Sequence, residues 1–368
     1  MTAHRHSTIA ARHRPKRRPA DAGRRATLVV LALAAASGAA ACGSEGEDPW
    51  LAQGSQLYGQ YCALCHGASG EGYRSDMADA LSNQQFLATA SDLLLRTSIA
   101  RGRPGTPMSA WGNARGGPLS DPQIYAIARW IRNWQTAPSI PVDVIHVDGS
   151  SERAQPQWDV RCASCHGPKG QGGTYMSVSN PEFLAVAGEG FLRWALAKGR
   201  SDTAMVGFEN ELTAQSIDDL VVLIRSWRTP VSDQPYQAPS HDLGEVFINP
   251  GGPEPPWGPE GRFIAVDVVK QAIDDGDEVG LLDARPPSDY VQGHISGARS
   301  VPFYDAESYL DQLPPDHWYV AYCGCPHSIS GQLYDLLQAR GYPKIKVLDE
   351  GFFVWQQRGY PVSTGPDP

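Results

Sequence analysis

The sequence has no apolar run long enough to span a membrane and little positive charge. Its longest apolar run, residues 26–41, has 16 residues, whereas a transmembrane helix needs roughly 20. Lys and Arg number 31 against 40 Asp and Glu, giving a net charge of −9. Eight of the basic residues and only one acid lie in residues 1–42, so the rest of the chain carries −16. Such an acidic chain argues against nucleic-acid binding and favours basic protein partners.

Cysteine is scarce as well. The seven cysteines are one after the apolar run, two C-x-x-C pairs and one C-x-C pair: Cys42, Cys62, Cys65, Cys162, Cys165, Cys323 and Cys325. None remains for a scaffold of structural disulfides, so the fold must depend on apolar cores and on any group that the cysteine pairs hold.

Residues 1–42 combine a basic start, a short apolar stretch and small residues, the pattern of a secretory signal. The segment Ala39-Ala40-Ala41-Cys42 resembles the lipobox of bacterial lipoproteins, with Ala39 where that family prefers Leu. The resemblance implies acylation of Cys42, export to the cell envelope or periplasm, and a lipid anchor in a membrane. A plain signal peptidase site that leaves Cys42 unmodified is the alternative. Residues 43–53 follow as a polar, flexible tether.

Two C-x-x-C-H motifs stand 100 positions apart, at residues 62–66 and 162–166. Two thiols at this spacing can form thioethers to the two vinyl groups of a haem, and the adjacent His can bind the iron. The candidate covalent attachment residues are Cys62, Cys65, Cys162 and Cys165, with His66 and His166 as iron ligands. The alternative is one zinc ion shared by both cysteine pairs.

The similarity extends beyond the motifs. Residues 124, 127, 128 and 131 form an apolar helical stripe that returns 93 positions later, at 217, 220, 221 and 224. Ser120 and Gln123 have the spacing of a capping box. Each repeat therefore predicts a short helix into the motif, an irregular middle and a C-terminal amphipathic helix. This order resembles small class I c-type cytochromes and implies two all-α domains, residues 54–136 and 152–229, joined by a linker at 137–151.

The resemblance also implies a second iron ligand, a Met in the loop before the last helix. Met108 and Met205 occupy that place. A neutral thioether favours Fe(II), so His/Met ligation suits electron transfer. Met77 and Met176 are rivals, but each lies close behind its own motif, where a core-filling role is the favoured interpretation.

The third part of the chain differs. Residues 230–259 hold eight prolines and are interpreted as a semi-rigid, extended linker. Short apolar runs at 279–282, 318–322 and 345–348 alternate with a helical stripe that ends at Gly341, which predicts a doubly wound α/β domain.

Residues 260–365 resemble a rhodanese-like (sulfurtransferase) domain, implying a parallel sheet flanked by helices. The match rests on Leu282-Asp283-Ala284-Arg285, Gly293-His294-Ile295-Ser296-Gly297-Ala298, Tyr322-Cys323 and Glu350-Gly351-Phe352. It implies that Cys323 is the nucleophile that accepts sulfane sulfur. The loop lacks the basic residue common in thiosulfate-using members and has Cys325 instead, a candidate resolving thiol or a disulfide partner of Cys323. Asp283 and Arg285 are expected to pair as a structural brace.

The sequence as a whole predicts an exported, lipid-anchored protein with two covalently bound haem c groups that transfers single electrons between partner proteins. Its rhodanese-like domain is expected to bind or transfer sulfane sulfur from small sulfur compounds. The alternatives are a sulfurtransferase with a cytochrome redox module, and a non-catalytic rhodanese fold used for docking.

Overall fold

The computed structural model describes residues 48–368, except 73–77, 233–235 and 325–326. Cys42, Met77 and Cys325 lie outside the described residues, as do the signal segment and most of the tether. The described residues belong to one compact unit. In the described ranges, no helix is both long and apolar enough to cross a membrane.

In the described part of the first repeat, the C-x-x-C-H motif lies among five helices. They are α1 (Pro49–Tyr61), α2 (Ala63–His66), α3 (Gln84–Thr89), α4 (Asp92–Arg101) and α5 (Asp121–Arg132). A 3-10 turn at Asn113–Arg115 precedes α5. The capping box of Ser120 and Gln123 opens α5, and the predicted apolar stripe of α5 is buried.

The second motif lies in a matching set of helices. They are α6 (Ser151–Arg161), α7 (Ala163–His166), α8 (Pro181–Val186), α9 (Glu189–Lys198) and α10 (Ala214–Ser226), after a 3-10 turn at Val142–Val144. The predicted stripe of α10 is also buried. In each set the first helix packs across the last one, α1 on α5 and α6 on α10.

The middle of each repeat is more regular than the sequence predicted. Two further helices stand there, α3 and α4 in the first repeat and α8 and α9 in the second. The side chains of Asn83 and Ser91 cap α3 and α4 by accepting backbone N–H bonds. The helices are short, so their apolar positions span too few turns to show a clear period.

The C-terminal region is an α/β fold with eight strands. They are β1 (Phe247–Ile248), β2 (Phe263–Ile264), β3 (Val279–Asp283), β4 (His294–Ile295), β5 (Arg299–Ser300), β6 (Tyr319–Tyr322), β7 (Ile345–Leu348) and β8 (Val362–Ser363). The helices are α11 (Val266–Asp274), α12 (Pro287–Gln292), α13 (Ser328–Ala339) and α14 (Gly351–Gln357), with a 3-10 segment at Ala306–Gln312. The three predicted strands and the helix before Gly341 are confirmed as β3, β6, β7 and α13.

The main sheet has the order β1-β3-β6-β7-β2, with β5 also paired to β3. The prediction of a parallel sheet is wrong at one edge. Strands β2, β7, β6, β3 and β5 pair in parallel, but β1 is antiparallel to β3, so the sheet is mixed. Strand β1 comes from the segment predicted as an extended linker. Prolines are tolerated near an edge strand, where a missing N–H donor breaks no ladder.

Candidate functional site

The first C-x-x-C-H motif forms one helical turn, α2, directly after α1. The N–H groups of Cys65 and His66 both donate to the carbonyl oxygen of Cys62, at 3.2 and 2.9 Å. This turn brings Cys62, Cys65 and His66 to the wall of one cavity. Burial raises the pKa of the Cys62 thiol to about 12, so the thiol is neutral at physiological pH.

The imidazole of His66 is held in one orientation. Its Nδ1 lies 2.8 Å from the carbonyl oxygen of Asp79, and burial lowers its pKa, which favours the neutral ring. A proton on Nδ1 is donated to that oxygen, which leaves the lone pair of Nε2 available for a metal.

The second motif repeats this arrangement in α7. The N–H groups of Cys165 and His166 donate to the carbonyl oxygen of Cys162, at 3.1 and 2.9 Å. The Nδ1 atom of His166 lies 2.9 Å from the carbonyl oxygen of Met176. Burial raises the pKa of the Cys162 thiol to about 11. These residues line a second cavity, so the two cysteine pairs do not converge on one tetrahedral site.

Each motif is also braced by an aromatic residue of the preceding helix. In the first repeat the hydroxyl of Tyr58 donates to the carbonyl oxygen of Gly67, at 2.8 Å. In the second, Nε1 of Trp158 donates to the carbonyl oxygen of Gly167, at 3.1 Å. Different side chains thus donate to the carbonyl oxygen of the glycine that follows each motif His.

The two loops that carry Met108 and Met205 have the same hydrogen bonds. The N–H of Arg103 donates to the carbonyl oxygen of Met108 at 2.7 Å, and that of Arg200 to Met205 at 2.8 Å. In each loop a Thr hydroxyl, of Thr106 or Thr203, donates back to the Arg carbonyl oxygen. The same hydroxyl oxygen accepts the N–H of the following Met. The proline before Met108, which has no counterpart before Met205, does not change this pattern.

Met108 lines the first cavity and Met205 lines the second. The rival Met176 borders both cavities, and its backbone carbonyl accepts from His166. The structure thus groups Cys62, Cys65, His66 and Met108 around one cavity, and their counterparts around the other. Iron ligation by the two methionines stays a prediction.

The donors in each cavity include those that a covalently held haem requires: the two thiols and the oriented imidazole of the C-x-x-C-H motif, and the thioether of the loop Met. The first cavity has a volume of about 1030 Å³, at the upper end of the roughly 300–1,000 Å³ of cofactor sites. The second is smaller, about 220 Å³. A haem in the second cavity therefore requires its lining side chains to move outward.

Two partly buried arginines were not predicted from the sequence. The side chain of Arg103 lies 3.4 Å from the carboxylate of Asp79 and 4.8 Å from the ring of Phe183. Arg200 lies over the ring of Phe191, at 5.2 Å, and burial lowers its pKa to about 10. Both arginines can hold an anionic group at the cavity rim. The repeated Gly-Arg pair before each Met loop was the available signal.

The predicted sulfur-accepting residue, Cys323, directly follows β6 and is 1% exposed. Its Sγ lies 3.3 Å from the hydroxyl oxygen of Ser330, in the first turn of α13. His327 precedes α13 in a left-handed conformation, with a φ of 71°, and its Nε2 lies 2.6 Å from Oδ1 of Asp349. A buried sulfur near a helix N-terminus is placed where negative charge is stabilised.

The expected pair of Asp283 and Arg285 is confirmed. The guanidinium of Arg285 donates to both carboxylate oxygens, at 2.9 and 2.6 Å, and also to the carbonyl oxygen of Gly293. Burial opposes the charged guanidinium, but the adjacent Asp283 outweighs it and raises the pKa of Arg285. The pair braces the end of β3.

Two family models match parts of the chain. Residues 265–358 match the rhodanese-like domain. Residues 50–131 match the model described as cytochrome C oxidase, cbb3-type, subunit III.

Curated relatives match parts of the chain. An HTH-type transcriptional regulator, Rv0324 of Mycobacterium tuberculosis, is 29% identical over 29% of this chain. The matched part is less than half (46%) of the length of that regulator. A sulfurtransferase of Allochromatium vinosum is 29% identical over 27% of this chain and 92% of its own length. The cbb3-type cytochrome c oxidase subunit FixP of Bradyrhizobium diazoefficiens is 24% identical over 52% of this chain and 68% of its own. The chain therefore contains a rhodanese-like domain and a cbb3-type cytochrome c domain, and the latter implies haem c.

Proposed function

We propose that the protein is an exported electron carrier with two haem c groups, one at each C-x-x-C-H motif. The observation that carries this proposal is the repeated site. Both cavities have two thiols, a His held through Nδ1 and a Met on a loop with the same three hydrogen bonds. A single C-x-x-C-H motif would not provide this agreement between two independent sites.

When bound, haem supplies a site that gains and loses one electron reversibly. The protein provides the rest. Cys62 and Cys65 would hold the group, and the Asp79 carbonyl, which accepts from Nδ1 of His66, leaves Nε2 available to bind the iron. Met108 would supply a soft ligand that favours Fe(II), and Arg103 would offer a positive charge to the anionic substituents of the haem. Cys162, Cys165, His166, Met205 and Arg200 have the same roles in the second cavity.

A redox titration of three proteins tests the proposal. The wild type should show two one-electron components in its visible spectrum. The double variants Cys62→Ala/Cys65→Ala and Cys162→Ala/Cys165→Ala should each keep one component, and a different one. A wild type with a single component, lost in only one double variant, would contradict the count of two.

Export and anchoring belong to the same proposal and are supported by the sequence of residues 1–42. Cys42 is the acylated residue, so Cys42→Ser should release the protein from the membrane fraction. An unchanged membrane fraction would rule out the lipid anchor. The charge of −16 after Cys42 suits donor and acceptor proteins with basic surfaces.

Sulfur transfer at Cys323 is a second function, favoured by the position of Cys323 beside Ser330 at the start of α13. A thiosulfate-to-cyanide assay measures it, with Cys323→Ser as the inactive control and Cys325→Ser reporting the role of the second thiol. Equal rates in wild type and Cys323→Ser would favour the alternative of a rhodanese fold used for docking partner proteins.

A further inference from the structure

Described residues that follow Cys323 form part of the wall of the cavity at the first C-x-x-C-H motif. Gly324, His327 and Ile329 line this cavity together with Cys65 and Met108. A Cβ atom added at Gly324 would lie 3.7 Å from the Cα atom of Pro107, the neighbour of Met108. The sulfur site and the first haem site therefore share a boundary.

Short contacts join the two sites. The Sγ of Cys323 lies 3.3 Å from the hydroxyl oxygen of Ser330, on the first turn of α13. One residue of that turn, Ser328, has its hydroxyl oxygen 4.0 Å from the Sγ of Cys65. Cys65 is one of the two residues that attach the haem at the first motif. One helical turn thus separates the sulfur-accepting thiol from a haem thioether.

The interface around this contact is packed. The ring of Phe303 lies 6.3 Å from the rings of Tyr61 and Trp111. The hydroxyl of Tyr304 donates to the carbonyl oxygen of Gly116, at 2.8 Å. One continuous apolar cluster includes buried residues of both regions, such as Leu57 and Leu333. These contacts fix the distance between the loop and the motif, which electron transfer requires.

We propose that Cys323 is an electron-entry site, at which hydrosulfide is oxidised to a persulfide and the electrons pass to the haem groups across the contact of Ser328 with Cys65. The inference rests on the proposed function, because the oxidised haems are the electron acceptors.

The reaction balances with two haems. The Cys323 thiolate and HS⁻ form an S–S bond, the S–H bond of hydrosulfide breaks, and one proton goes to the buffer. Both sulfur atoms are oxidised by one electron each. Two ferric haems each take one electron and become ferrous. The product is a Cys323 persulfide, which a thiol acceptor can then remove by sulfur transfer.

Two features favour hydrosulfide, a small anion that is oxidised by two electrons, as the substrate. Cys323 is 1% exposed, so a small anion has better access than a large sulfur compound. Two one-electron centres in one chain also match a reaction that releases two electrons.

Anaerobic mixing of the fully oxidised holoprotein with sodium sulfide tests the inference, with haem reduction followed by absorbance. The wild type should show a fast phase that slows by about tenfold or more in Cys323→Ser, because sulfide then reduces the haem only directly. Both proteins must be reduced fully by ascorbate. Intact-mass measurement should find one added sulfur atom on the oxidised protein, and none when the haems are reduced before sulfide is added.

The outcomes separate the two claims. Equal sulfide rates in wild type and Cys323→Ser, with haems that ascorbate reduces, overturn the inference and leave the electron carrier standing. Persulfide that forms equally on pre-reduced protein overturns it as well. A wild type without ascorbate-reducible haem overturns both.

Discussion

Gly54 lies where α1 crosses α5, the crossing that leads into the first haem motif. A Cβ atom there would lie 2.1 Å from the carbonyl oxygen of Ala126 and 2.9 Å from the Cβ of Trp130. Gly54→Ala must therefore push the helices apart, and overpacking of this kind costs about 1–3 kcal/mol. Ala gains about 0.5–1 kcal/mol over Gly in a helix. The net loss in the free energy of unfolding should thus be up to about 2.5 kcal/mol.

Gly59 is the matched control, because it lies in the same helix and a Cβ atom there meets no atom within 4 Å. Gly59→Ala should keep only the gain in helix propensity. Guanidinium unfolding of the holoproteins compares the free energies of unfolding of the two variants. Unfolding is followed by haem absorbance and by far-ultraviolet circular dichroism. If Gly54→Ala is as stable as Gly59→Ala, the close approach of α1 and α5 is refuted.

Three further predictions concern the charges and ligands of the sites. Burial raises the pKa of Asp289 to about 6, so the carboxyl binds its proton more tightly in the folded state, and stability falls as pH rises from about 4 to 6. Asp289→Asn should therefore be more stable than the wild type at pH 7, by an amount on the order of 1–3 kcal/mol, and no more stable at pH 3; equal stability at both pH values contradicts this. Met108→Ala should lower the reduction potential of one haem and leave the potential of the other unchanged. Met176→Leu should leave the ligand-sensitive spectrum of both haems unchanged. The reverse result would make Met176 the iron ligand in place of Met108. Arg103→Gln removes a positive charge that borders both cavities, so both potentials should fall by about 1 kcal/mol, or roughly 40 mV for one electron; a shift in only one haem contradicts this placement.

Much of the fold was predictable because it depends on local patterns. The stripes of α5 and α10 each extend over about two turns, and the runs that form β3, β6 and β7 are bounded by turn residues. The C-x-x-C-H motif is itself one helical turn, so its spacing already fixed which side chains meet. Covalent attachment of two haems and the roles of both methionines stay predictions.

Other features depend on contacts between distant parts of the chain. No local pattern shows that Phe303 packs on Trp111, or that Ser328 meets Cys65 across 263 positions. The antiparallel pairing of β1 was also invisible, because two residues in a proline-rich segment carry no period. The positions of Arg103 and Arg200 on the cavity walls appear only once the loops are folded.

Mass spectrometry of the intact, denatured protein tests the central claim most directly. The chain is purified from cells that attach c-type haem, and its mass is compared with that of the mature polypeptide. Two covalently bound haem groups per chain are predicted, falling to one in both Cys62→Ala/Cys65→Ala and Cys162→Ala/Cys165→Ala. A wild-type mass with a single haem, unchanged by substitution at the second motif, would contradict the claim that both cavities are haem sites.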